Sequence, residues 1–395
     1  LLMTQSVAMI GLGKLGLPVA ESMAKHYTVY GYDINKDIKS DTVTICDKLY
    51  HAVHDVDIVF IAMPTPHDPE YGGEKPIASK IKKDFNYDAL DSCLAELENY
   101  IEPGTIVVTI STVLPGTYRK LALKHKKIEN LVYNPYLIAM GTVTTDFLNP
   151  DLAIFGYPFW KHGQGMKESH VTANKLIKFY EKIWGRNPFQ AHGTYEEAEC
   201  IKIFHNTYIS AKVGIANMIG DVAHKIENVN ADAVTNALKH ADRIVSTRYM
   251  TAGNGDGGPC HPRDNIALSW FAEQIDLGYD IFGDIMRIRE IQAENIAKEL
   301  CSHNRDIVIL GKSFKPETHL TDGSPSMLIG HYCEKMGFSV TYENTPSEKQ
   351  RYTYLLAHDK DYSTYKFNKN SIIVDLYRKY TDKNNTVIHW GNSNT

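Results

Sequence analysis

Short apolar runs alternate with longer amphipathic stretches at both ends of this chain, while the middle is helical in pattern. The runs at 6–10, 27–32, 57–63, 105–110 and 131–133 are short and rich in β-branched or aromatic residues, so they predict strands. Between them, the periodicity predicts a helix from Gly16 to about Lys25. It predicts another over 88–101, with Leu90, Leu94, Leu97 and Ile101 on one face. The longest periodic segment runs from Glu196 to about Ile226, with a stripe at Ala198, Ile201, Phe204, Tyr208, Ala211, Ile215, Met218 and Val222. Its other faces also carry apolar residues (Ile203, Ile209, Val213, Ala216), which places the helix between domains or subunits.

Further helical patterns cover 231–241, 265–274 and 285–303. From Asp306 the strand–helix rhythm restarts, with strands at 307–311, 339–342, 354–356 and 372–375 and a helix at 326–335. The expected fold class is therefore α/β, with a smaller second α/β lobe after a helical middle. The expected domains are 1–193, 194–303 and 304–395.

Candidate chemistry begins at the end of the first strand. Gly11-Leu12-Gly13-Lys14-Leu15-Gly16 sits between strand and helix, and Asp33 ends the second strand 22 positions after Gly11. In that context G-x-G-x-x-G predicts a dinucleotide site. Gly11 makes the tight turn, Gly13 lets a pyrophosphate approach the helix N-terminus, and Gly16 packs helix on strand. Asp33 accepts the ribose hydroxyls and repels a 2′-phosphate, so the expected cofactor is NAD rather than NADP. Thr65 and Thr112 follow strands, so they line the cofactor crevice or simply form turns.

Two other features carry chemistry. Gly257-Gly258-Pro259-Cys260-His261-Pro262-Arg263-Asp264 is a stiff, glycine-bracketed loop presenting one cysteine. It reads either as a rigid turn around a structural thiol or as the holder of a nucleophile. Lys202 and Asn206 share one helix face. Lys202 either snorkels to solvent or aims its ammonium, with the Asn206 amide, at a substrate oxygen.

Composition narrows the field. With 395 residues, 43% hydrophobic and 23% charged, the chain has an ordinary globular composition and length for more than one domain. A formal net charge of −5 gives no reason to expect nucleic acid or an anionic membrane as partner. The six cysteines are scattered without ligand spacing, so no metal site is expected and a cytoplasmic setting suits them. No apolar run reaches the ~20 residues of a membrane span, and Val7–Gly13 reads as a strand rather than a signal peptide. The loop 67–83 is long and charged and is expected to form a flap.

In order along the chain, these residues resemble the UDP-glucose/GDP-mannose dehydrogenase family. Besides the glycine fingerprint, the resemblance rests on Thr65-Pro66, Ser111-Thr112-Val113 with Pro115-Gly116-Thr117, and Glu199-x-x-Lys202-x-x-x-Asn206. It rests also on Gly311-Lys312-Ser313-Phe314-Lys315, Ser324-Pro325-Ser326 and, most specifically, Gly257-Gly258-x-Cys260-x-Pro262-x-Asp264.

The resemblance implies two Rossmann-like lobes joined by a long central helix that makes a homodimer. It implies NAD-dependent four-electron oxidation of a nucleotide sugar at C6 to the uronic acid. In that scheme Cys260 is the nucleophile, Lys202 and Asn206 stabilise the oxyanion, Asp264 acts as base or water orienter, and Thr112 binds water. Leu137, Arg243, Tyr249, Gly257 and Lys315 are implied to contact the nucleotide sugar.

The chain also departs from the family pattern. Tyr136 and Met140 stand where the family has glutamates, and Thr321-Asp322-Gly323 stands where an arginine is expected. The C-terminal lobe lacks room for a helix between Tyr342 and Tyr354. The lost glutamates leave a nucleotide-sugar binder with impaired hydrolysis as one alternative; the Lys-x-x-x-Asn pattern, which some β-hydroxyacid dehydrogenases also carry, leaves a single-hydride β-hydroxyacid-type dehydrogenase as another.

Overall fold

Each apolar run ending in glycine or a small polar residue becomes a strand of one of two parallel-dominated sheets. The computed structural model describes residues 5–66, 84–138, 141–159, 167–225, 228–245, 253–258, 262, 272–316 and 318–391. Two compact units emerge, Leu1–Lys212 and Val213–Thr395.

The first unit carries an eight-stranded sheet. Its strands are β1 (Ser6–Ile10), β2 (Thr28–Tyr32), β3 (Thr44–Cys46), β4 (Ile58–Ile61), β5 (Ile106–Thr109), β6 (Asn130–Tyr133), β7 (Leu152–Tyr157) and β8 (Phe189–Thr194). They lie in the order β3-β2-β1-β4-β5-β6-β7-β8, with β6–β7 antiparallel and the other neighbours parallel. Strand order reverses beside β1, so a crevice opens past the C-terminal ends of β1 and β4. The sheet is buried on both faces by two apolar clusters, as a parallel sheet requires. Helix α1 (Gly16–Met23) follows β1, and α3 (Asp88–Leu97) buries the predicted Leu90, Leu94 and Leu97.

The second unit holds β9 (Ile307–Leu310), β10 (Val340–Glu343), β11 (Thr353–Leu356), β12 (Ile372–Asp375) and β13 (Thr386–His389). All are parallel, in the order β10-β9-β11-β12-β13. Two helices, α10 (Ile281–Ser302) and α11 (Pro325–Lys335), pack on this sheet through Ala293, Ile296, Leu300, Ile329 and Cys333. No helix stands between β10 and β11, as the short connection implied.

The long helix α7 spans Tyr195–Lys225, within a residue of its predicted bounds. Its stripe is buried at Ala198, but Phe204, Tyr208 and Ile215 are exposed, as is Ile209 on another face. Helix α10 starts four residues earlier than the apolar pattern, because Asp280 Oδ1 accepts from Gly283 N and caps its first turn. Of the helix predicted at 265–274, only Ala272–Gln274 lies within the described residues; the 67–83 loop lies outside them. Among the described residues, no helix is long and apolar enough to cross a membrane, and no His/Cys/Asp/Glu group has metal-site geometry.

Candidate active site

The fingerprint loop folds as its three glycines predict. Gly11 has φ +89°, and a Cβ there would meet Ala62 O at 2.7 Å. A Cβ on Gly16 would lie 1.8 Å from Gly11 O, so only glycine lets α1 start this close to the turn. Gly13 is different: nothing lies within 4 Å of its would-be Cβ. That open space faces away from the protein's own packing, as a phosphate approach requires. Asp33 sits at the end of β2, where Oδ2 accepts from Leu12 N at 2.7 Å and Oδ1 from Asn35 N at 2.8 Å. Leu12 is buried, its side chain filling the gap left by Gly31, and Leu15 packs on the same core. Both therefore offer backbone only, whereas Lys14 is exposed.

Two more strand ends are stitched together beside this loop. Thr65 Oγ1 donates to Thr112 O at 2.6 Å, and Ser111 Oγ donates to Met63 O at 2.6 Å. Thr65 and Thr112 thus belong to one hydrogen-bonded rim past β4 and β5.

Helix α7 aims two charged groups inward, one turn apart. Glu199 is fully buried, and its carboxylate accepts from Gly116 N and Tyr118 N, each at 2.6 Å. It thereby caps α4 (Thr117–Lys124), whose N-cap Gly116 has no side chain to do so. Burial raises the Glu199 carboxyl above its ordinary range, opposed by the two N–H bonds. Lys202 is also buried, and its Nζ donates to Tyr136 O at 2.8 Å. The snorkelling alternative is excluded, since the ammonium points inward. Desolvation lowers its pKa from the ordinary lysine value. Asn206, the next turn along, is exposed, with Oδ1 3.4 Å from His205 Nδ1.

Tyr136 contributes its carbonyl to Lys202 and turns its ring into the core. The ring packs 5.4 Å from Phe147, and the hydroxyl donates to Tyr180 Oη at 2.9 Å. Tyr180 donates onward to Asn134 Oδ1, and Asn134 Nδ2 donates to Ile154 O. Burial pushes the Tyr136 phenol well above its ordinary range. At neutral pH it therefore does not serve the acid–base chemistry of the glutamate expected there from the resemblance. Leu137 lines a pocket of about 20 Å³ with Tyr136, Phe147, Tyr180 and Trp184. The enclosed space is about that of one water.

In the second unit, Gly311 leaves β9 at φ +119°, where a Cβ would strike the His358 ring at 2.8 Å. His358 Nε2 donates to Ser313 O at 2.8 Å, and Ser324 Oγ donates to Lys312 O at 2.7 Å. These bonds hold the turn that presents Lys315, which is exposed. His358 lies two residues past the end of β11, and a lone histidine after an apolar run is the sequence signal for it. Arg243 is exposed on the short helix Asp242–Val245. Gly257 is packed against Gly323 O and Pro325. Cys260, Asp264, Tyr249 and Met140 lie outside the described residues.

Comparison with known proteins fits this geometry. The NAD binding domain of the UDP-glucose/GDP-mannose dehydrogenase family matches residues 33–174, and its central domain matches 196–290. Together they take in more than half of the chain. The chain belongs to the UDP-glucose/GDP-mannose dehydrogenase family. It is 30% identical to GDP-mannose 6-dehydrogenase of Pseudomonas aeruginosa over 291 residues, covering 71% of this chain and 62% of that protein. It is 24% identical to UDP-glucose 6-dehydrogenase of Rickettsia prowazekii over 327 residues, covering 80% of this chain and 68% of the other. A crystal structure of a ternary complex of the Pseudomonas aeruginosa GDP-mannose dehydrogenase shares the fold. Its TM-score is 0.79 at 20% identity, with 97% of this chain and 100% of that chain covered.

Family members are NAD-dependent oxidoreductases, and the residues present here fit that cofactor. The left-handed Gly11, the open side of Gly13 and the acid at Asp33 form the expected cradle. The profile match starts at Asp33, so the glycine loop lies ahead of it and is supported by its own geometry.

Proposed function

We propose that this chain oxidises a nucleotide sugar of the UDP-glucose or GDP-mannose type at C6 to the uronic acid, with Cys260 as nucleophile. The observation that carries this reading is Lys202, an ammonium buried on α7 and held by the Tyr136 carbonyl. Among the described residues no carboxylate pairs with this ammonium, and burying such a charge costs stability; a positioned cation near a developing oxyanion repays that cost in rate.

NAD, when bound, accepts a hydride in each of two successive oxidations. The first oxidation turns the C6 alcohol into an aldehyde. The Cys260 thiolate adds to that carbonyl, and the Lys202 ammonium and Asn206 amide donate to the oxygen as charge develops. Loss of the second hydride leaves a thioester on Cys260. Water, positioned by Thr112 and Asp264, attacks the thioester, releasing carboxylate and free thiol. The ammonium also favours the thiolate form of the cysteine. Leu137, Arg243, Tyr249, Gly257 and Lys315 are assigned to the nucleotide sugar. The exposed Phe204, Tyr208, Ile209 and Ile215 on α7 support a homodimer through that helix.

The buried Tyr136 phenol favours a second reading, in which hydrolysis is slow and the thioester or aldehyde accumulates. Cys260→Ala tests the nucleophile. It should bind NAD normally and form no acid from UDP-glucose or GDP-mannose. Acid accumulating at the wild-type rate would remove Cys260 from the mechanism.

A further inference from the structure

The run Gly253–Gly258 leads directly to Cys260, and it lies against the start of α11 with almost no side chains between. A Cβ on Gly257 would meet Gly323 O at 2.7 Å and Pro325 Cδ at 2.6 Å. A Cβ on Gly323, at φ +63°, would lie 2.1 Å from Gly258 O. Gly258 N donates to Gly323 O at 3.2 Å. Upstream, Asn254 Nδ2 donates to Ser326 Oγ at 2.9 Å, and a Cβ on Gly253 would enter the Tyr377 ring.

One side chain spans this backbone contact. Arg289, half-buried on α10, donates Nε to Asp256 O at 2.9 Å and Nη2 to Gly323 O at 3.0 Å. A planar guanidinium can reach two carbonyls on different segments at once, which a lysine ammonium does less well. Glycines lose more freedom on ordering than other residues, so this contact needs an external tie.

We propose that Arg289 is a positioning residue that clasps Asp256–Gly258 to the turn at Gly323 and so fixes the approach to Cys260. The proposal rests on the reading of Cys260 as nucleophile. It also explains the glycine at 323, where the family pattern leads one to expect a larger side chain nearby: any Cβ there would break the contact with Gly258. Small displacements of a reacting group cost rate steeply, so the clasp acts on turnover more than on substrate binding.

The test uses Arg289→Met and the milder Arg289→Lys in the full chain, with two readouts. Hydrogen exchange across 253–258 should quicken about tenfold or more in Arg289→Met, with β9 unchanged. The kcat for uronic acid formation should fall about 10- to 100-fold, with KM for the nucleotide sugar within about threefold. Arg289→Lys should be intermediate in both. Unchanged exchange at 253–258 overturns the clasp. Faster exchange with kcat within twofold of wild type overturns its catalytic role. If Cys260→Ala still makes acid, the nucleophile reading falls, and the exchange readout still decides whether Arg289 holds the segment.

Discussion

The Lys202 ammonium donates to the backbone carbonyl of Tyr136 at 2.8 Å, across 66 positions of sequence. This bond ties the long helix to the segment that follows β6. It explains how a lysine survives inside: one of three donors is satisfied by a carbonyl whose own residue is anchored through Tyr180 and Asn134. Tyr136 offers no titrating carboxyl at this position, but its carbonyl supports the ammonium.

Lys202→Met should cost catalysis far more than stability. The loss of oxyanion stabilisation is expected to lower kcat by about 10²–10³. The fold loses one hydrogen bond but also sheds the desolvation cost of the charge, so the melting temperature should stay within about 4 °C. A large fall in melting temperature with modest loss of kcat would make Lys202 a structural residue.

The same lysine sets a pH dependence. Its folded pKa lies below the ordinary 10.5 because burial disfavours the charged form. In the proposed mechanism the active form is the ammonium, so kcat/KM should decline as pH rises through a value below 10.5. Between the folded and unfolded pKa values the unfolded chain holds the extra proton, so stability rises with pH in that window. A pH–rate profile checks the first statement: an alkaline limb absent up to 10.5 would contradict it.

Gly13→Ala and Gly16→Ala should separate binding from folding. The Gly13 methyl meets nothing within 4 Å, so stability should hold within about 0.5 kcal/mol while NAD binding weakens about tenfold or more. The Gly16 methyl would sit 1.8 Å from Gly11 O, so this variant should lose stability by about 1–3 kcal/mol. Thermal melts and NAD titration of both variants decide; equal NAD affinity in Gly13→Ala would refute the cradle.

Glu199→Ala should act through the α4 cap. The buried Tyr118 N–H and the half-buried Gly116 N–H would lose their acceptor, at up to about 1–3 kcal/mol each before relaxation. A net loss of about 2–4 kcal/mol is expected in denaturant unfolding. A loss below about 0.5 kcal/mol would mean that water replaces the carboxylate.

Tyr136→Phe should leave the pH–rate profile unchanged and cost about 1 kcal/mol of stability, from one part-buried hydrogen bond. A shifted acidic or alkaline limb in this variant would return the phenol to the chemistry.

What the sequence made legible was local. Gly11, Gly13 and Gly16 are dictated by backbone clashes within a few residues, so the fingerprint and its strand and helix could be read directly. The bounds of α7 were readable because its apolar period runs for many turns. The roles that stayed hidden depend on distant partners. Glu199 finds Gly116 and Tyr118 across 83 and 81 positions, and His358 finds Ser313 across 45. The inward turn of Tyr136 depends on Tyr180, 44 residues away. Strands β7 and β8 were likewise missed, for different reasons: 152–157 is an apolar run interrupted by Gly156, whereas 189–194 mix polar, glycine and aromatic positions and are buried mainly at the C-terminal end.

The central claim is a four-electron oxidation completed on this chain. The most direct measurement is the number of NADH formed per nucleotide sugar consumed, with UDP-glucose and GDP-mannose each supplied alongside excess NAD. The account predicts two NADH and one uronic acid per sugar for the accepted substrate. One NADH per sugar with free aldehyde as the product would contradict it.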